Sequence, residues 1–146
     1  MRAVLDTSVL LGALIAPQGL PTDAIYRAWR AERFDLVTST AQLYKLRQIG
    51  RYPRLKAAIL PAHRIETIVN NMQRAIILDA LPPASAVADS AANKDKDALL
   101  LLSMAQAGEA DYWVTDNLHC AQLSQRGGTG RTRVVTPEAF RDLLAR

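Results

Sequence analysis

The chain has 146 residues, 49% hydrophobic and 22% charged, which is the size and make-up of one compact domain rather than of a disordered or collagen-like chain. Lys and Arg outnumber Asp and Glu by 18 to 14, giving a net charge of +4 and an isoelectric point near 9.6, which favours polyanionic partners without naming one. A lone cysteine, Cys120, excludes an internal disulfide and a thiolate zinc cluster. The longest purely apolar run, the five residues Ala98 to Leu102, is too short for a membrane span, and no secretory leader is recognisable. The expectation is a soluble cytoplasmic protein with a single domain over residues 1–146.

Ala3-Val4-Leu5 reads as a short strand buried on both faces, with Asp6 at its carboxyl end. Val9 to Leu14 suits a short helix, ended by the Ala16-Pro17-Gln18-Gly19-Leu20-Pro21 loop. A second helix is capped by Thr22 and carries Ala24, Ile25, Ala28 and Trp29 at helical spacing to about Arg33, and Phe34 to Thr38 follows as a strand. Thr40 caps a third helix with the stripe Leu43, Leu46, Ile49 and a stop at Gly50. A longer helix runs from Pro61 to about Arg74, and Ile76-Ile77-Leu78 is a third strand. Residues 84–92 are small and aperiodic, a loop or a frayed helix start. Asn93 or Asp95 caps a helix that is apolar nearly all round from Leu99 to Ala107 and ends at Gly108. Tyr112-Trp113-Val114 is a strand. A helix near Leu118 to Ser124, the turn Gly127-Gly128-Thr129-Gly130, a strand Arg133-Val134-Val135 and a helix opened by Pro137 complete the chain.

Apolar strands alternating with helices imply a mainly parallel sheet in a three-layer α/β/α sandwich. In such a sheet functional groups gather beyond the carboxyl ends of the strands. Asp6 and Asp116 each follow a strand, and Asp95 and Asp97 open the buried helix that feeds the second of these strands. Carboxylates brought close repel one another unless a cation or proton resolves the conflict. A hard divalent ion such as Mg2+ or Mn2+ is the natural resolution, and metal-assisted phosphodiester hydrolysis is the chemistry that follows.

Val4-Leu5-Asp6-Thr7-Ser8-Val9-Leu10 resembles the opening strand motif of PIN domains, and Ala110-Asp111-Tyr112-Trp113-Val114-Thr115-Asp116-Asn117 resembles their last acidic segment. The likeness extends through Val134-Val135-Thr136-Pro137-Glu138-Ala139-Phe140, typical of one bacterial branch of the family. The resemblance implies a PIN-like sandwich and a Mg2+- or Mn2+-dependent endoribonuclease, often the toxin of a toxin-antitoxin pair, with RNA as substrate, an antitoxin protein as partner and a homodimer as the assembly. Its implied catalytic and metal-binding residues are Asp6, Asp97 or Asp95, and Asp116, with Ser8, Thr115 and Asn117 orienting ligands or waters by hydrogen bonds. The sequence departs from the family pattern twice. The usual glutamate in the helix after strand two has no counterpart in Thr40 to Leu46, where Lys45 or Tyr44 falls near its place, and the late acid stands one residue after Thr115 rather than two.

Each acid also has an ordinary use: Asp6 and Asp116 as helix caps, Asp95 and Asp97 as complements to a helix dipole. It is the joint placement at ends expected to meet that points to a shared site. Lys45, Arg47, Arg51 and Arg54 lie in a basic stretch suited to RNA phosphates, with Tyr44 and Tyr52 available for base stacking. The other reading of that stretch is a solvated helix face. The alternative function is a degenerate PIN-like module that binds RNA or a protein partner without cutting. A phosphoacceptor domain built on Asp6 is a third reading.

Overall fold

In β1 (Arg2–Leu5), alternate side chains are buried on opposite faces: Ala3 and Leu5 join one apolar cluster and Val4 the other. The computed structural model describes residues 1–15, 21–49, 62–79, 96–117 and 130–146. The strand is flanked by β2 (Asp35–Ser39), which pairs Val37 with Val4, and by β4 (Tyr112–Val114), which pairs Trp113 with Val4. With β3 (Ile76–Leu78) beyond β2 and β5 (Arg133–Val135) beyond β4, the sheet has five parallel strands in the order β3-β2-β1-β4-β5. The expected α/β/α architecture is therefore present. Three of the strands keep the expected limits.

On one face lie α1 (Thr7–Ile15), α2 (Pro21–Arg30), α3 (Thr40–Ile49), α4 (Ala62–Asn71) with its 3-10 extension Met72–Arg74, and α6 (Pro137–Leu144). They contribute Val9, Ile25, Trp29, Leu46, Val69 and Phe140 to the larger cluster. On the other face α5 (Lys96–Ala107) buries Leu101, Leu102, Met104 and Ala105 against Val4, Val37 and Trp113. Burying each large apolar side chain favours folding by roughly 1.5–3 kcal/mol. Among the described residues no helix is long and apolar enough to cross a membrane.

Helix ends differ from the sequence expectation for identifiable reasons. α2 starts at Pro21, because a proline at the first helical position gives up an N–H that has no helical partner anyway. It stops at Arg30 because Glu32 turns left-handed (φ 60°), and the N–H groups of Glu32 and Arg33 bond back to Trp29 O and Ala28 O. α5 ends in the same way with Glu109 (φ 51°) as the left-handed residue, not Gly108. Gly108 meets a different need, since a Cβ there would sit 2.6 Å from Val37 Cγ1. β2 runs one residue later than expected, because Phe34 turns into the core against Phe140. Ser39, not Thr40, then caps α3: its Oγ accepts the Gln42 N–H at 3.1 Å. The expected stop at Gly50, the helix near Leu118 and most of the glycine-rich turn lie outside the described residues.

At the amino ends of the strands, Asp111 accepts hydrogen bonds from the Arg2 N–H (2.9 Å) and the Arg131 guanidinium (2.6 Å). The Arg2 N–H first, and Arg131 after it, hold its carboxyl below the ordinary aspartate range. Asp111 is thus a latch joining β1, β4 and the approach to β5, at the end of the sheet remote from Asp6.

Candidate active site

Asp6 is the first residue past β1, and both of its roles are visible. Its backbone N–H donates to Val114 O at 2.9 Å, carrying the β1–β4 ladder one step beyond the strand, while its carbonyl accepts from Val9 and Leu10 as α1 begins. Its Oδ1 accepts the Ser8 N–H at 3.3 Å, as a helix cap does. Its Oδ2 accepts the Thr115 hydroxyl at 2.6 Å. Capping and site-building therefore use different oxygens of one carboxylate.

Thr115, 2% exposed, stands just past β4. Its N–H donates to Val135 O at 3.0 Å, which ties β4 to β5, and its Oγ1 also accepts the Asn117 N–H at 3.1 Å. Its hydroxyl proton is thereby directed to Asp6. Ser8 and Asn117 both act here through backbone N–H groups, Ser8 directly on Asp6 and Asn117 through Thr115.

Asp116 is exposed next to this pair. Partial desolvation first, then the negative charges of Glu138 and Asp6, raise its carboxyl above the ordinary aspartate value. The acids following β1 and β4 therefore share one electrostatic environment. Glu138 was not singled out from sequence; the signal was Thr136-Pro137-Glu138 directly after a strand, a capped helix start with an acid in its first turn. Asp79, just past β3, accepts the Thr40 hydroxyl at 2.9 Å and adds another acid at the carboxyl ends of the strands.

Asp97 occupies the first turn of α5, but its side chain lies outside the described residues, as do Asp95, Arg51, Arg54 and Tyr52. Of the basic stretch, Lys45 is half-buried and Arg47 exposed on α3, beside Tyr44, which is 60% exposed. Gln48 Nε2 donates to the Tyr44 hydroxyl at 2.5 Å and steadies the ring along the helix.

Among the described residues no three His, Cys, Asp or Glu side chains come together closely enough to enclose a metal ion. The donors that do converge are nonetheless of the right kind for a hard cation. They are carboxylate oxygens without imidazole or thiolate, they repel one another, and Mg2+ commonly binds through only one or two carboxylates while keeping its waters. Asp6 and Asp116 supply two.

The repulsion has a measurable sign. With its carboxyl raised, Asp116 holds its proton more tightly in the folded state than in the unfolded state, so stability falls as pH rises above the ordinary aspartate value of 3.8. Asp116→Asn removes that opposition. In metal-free buffer at pH 7 it should raise the melting temperature by about 1–3 °C, the scale of one exposed charge interaction in a chain of this size. The gain should vanish below pH 3.8, where the wild-type group is already protonated. Thermal melts by circular dichroism across that range check it.

A parallel α/β sandwich whose acids gather past the carboxyl ends of two adjacent strands, where the strand order reverses, belongs to the class of α/β domains that work at such a switch point. The family model described as PIN domain matches residues 2–119, and the chain belongs to the PIN domain family. Members of this family are generally nucleases and typically use divalent metal ions. No curated protein and no solved structure matches the chain.

Proposed function

We propose that this protein is a Mg2+- or Mn2+-dependent endoribonuclease that acts as the toxin of a toxin-antitoxin pair. The observation that supports it most is the 2.6 Å bond from Thr115 to Asp6, which joins the ends of β1 and β4 and sets Asp6 beside the mutually repelling Asp116. In this reading Asp6 and Asp116 hold the ion, with Asp97 or Asp95 as the further acid from α5. When bound, the ion supplies a Lewis acid for the phosphoryl oxygens and lowers the pKa of a coordinated water.

The chain's own task is to keep its acceptor oxygens in place. Thr115 fixes one Asp6 oxygen and the Ser8 N–H the other, so that the carboxylate is oriented before any ligand arrives. Lys45 and Arg47, with Arg51 and Arg54, hold the RNA backbone, and Tyr44 offers a stacking surface. The antitoxin partner, the homodimer and a cytoplasmic location are part of the same proposal.

A second reading, an RNA-binding module that does not cut, is favoured by Lys45 on α3, near the place of the family's usual helix glutamate, since an ammonium in that place opposes a nearby cation. One experiment separates the two. The purified protein is incubated with end-labelled RNA in Mn2+ or in EDTA. Internal cleavage in Mn2+ alone supports the nuclease, whereas retention of intact RNA under both conditions supports the binding module.

A further inference from the structure

Gln42 is completely buried, yet every polar group of its side chain is used at the base of the site. Its Oε1 accepts the Thr38 hydroxyl at 2.6 Å and its Nε2 donates to Leu5 O at 2.8 Å. Its backbone N–H is the one capped by Ser39. Thr38 and Ser39 are themselves fully buried. The β1–β2 pairing ends at Val4 and Val37, so the two strands part just before Leu5, where the side-chain amide of Gln42 takes the place of a further ladder bond. Across the same peptide unit, the Asp6 N–H is held by Val114 O of β4.

The peptide plane joining Leu5 to Asp6 has only two polar groups, and they are pinned from opposite sides, one by Gln42 and one by β4. A peptide plane held at both edges resists rotation, and with the Asp6 carbonyl held in turn by the Val9 and Leu10 N–H groups on its other side, the direction of the Asp6 Cα–Cβ bond is fixed. From this we propose that Gln42 is a positioning residue for Asp6. It acts through Leu5 O to aim the carboxylate at Thr115 and at the place where a divalent ion would sit. The proposal rests on the metal-dependent reading of the site.

The test measures Mn2+ binding by titration calorimetry on three folded proteins: the wild type, Gln42→Met and Leu46→Ala. Gln42→Met keeps the length of the side chain and removes both hydrogen bonds. Leu46→Ala is a control on the same helix that disturbs the apolar cluster to which Leu5 also belongs, without removing a polar contact to Leu5. Gln42→Met should weaken Mn2+ binding about 10- to 100-fold, the usual consequence of losing the group that orients a ligand, while Leu46→Ala should leave the affinity within about twofold of wild type even where its melting temperature falls equally. Equal affinity in Gln42→Met and the wild type overturns the role of Gln42, as does an equal loss in Leu46→Ala. Absence of Mn2+ binding in the wild type overturns instead the reading on which the proposal stands. Where Gln42→Met does not fold, Thr38→Val replaces it: the Gln42 amide loses its Thr38 anchor, and a loss of affinity of at least threefold is expected.

Discussion

Asp6→Asn should abolish Mn2+-dependent RNA cleavage, with a loss of about 100- to 1,000-fold, the rate equivalent of several kcal/mol of lost charge stabilisation. The substitution is conservative for the fold. An asparagine side-chain carbonyl can still accept from the Thr115 hydroxyl or from the Ser8 N–H, so the junction of β1, α1 and β4 remains supported. What disappears is one negative charge where the acids converge. Cleavage progress curves together with calorimetric Mn2+ titrations check this. Activity within a few-fold of wild type would remove Asp6 from the metal site and with it the placement of the cutting centre at the ends of β1 and β4.

The largest expected effect on stability is at Phe140, which is fully buried on α6. Its ring stands 5.2 Å from Phe34 at 85° and 5.6 Å from Tyr112, and so clamps the last helix onto both the start of β2 and β4. Phe140→Ala should destabilise the fold by about 3–5 kcal/mol and lower the melting temperature by roughly 10 °C. Urea denaturation should show a lower midpoint with an unchanged slope, the mark of a weakened native state rather than an altered unfolded one. A cost below about 1 kcal/mol would mean that α6 is not part of the cooperative core. Because α6 also carries Glu138, this cluster supports the negative lining of the site as well as the sheet.

The strands were legible because two-sided burial writes short apolar runs into the chain. Ile76-Ile77-Leu78, Tyr112-Trp113-Val114 and Arg133-Val134-Val135 each appear as strands at those limits. Helix starts were less legible where two capping residues adjoin: Ser39 and Thr40 are equivalent on paper, and only the neighbouring Asp79, which engages Thr40, leaves Ser39 to cap. Asp6, Thr115 and Asp116 were readable as strand-end residues, and the structure does bring them together. Glu138 carries no such mark in the sequence, because its nearness to Asp116 depends on β5 lying beside β4, a matter of strand order. Gln42 was invisible for a related reason, since a glutamine between Ala41 and Leu43 carries no sign that its amide will replace a missing ladder bond.

The two strands that build the site are neighbours in space, yet the bond between Asp6 and Thr115 spans 109 positions of sequence. During synthesis Asp6 leaves the ribosome long before the strand that orients it exists. The growing polypeptide thus cannot assemble this carboxylate junction piecemeal; it forms only when the final third has docked. On the function proposed above, a ribonuclease wired in this way would be silent toward its own messenger for most of translation, which would give an inhibitory companion an interval in which to engage it.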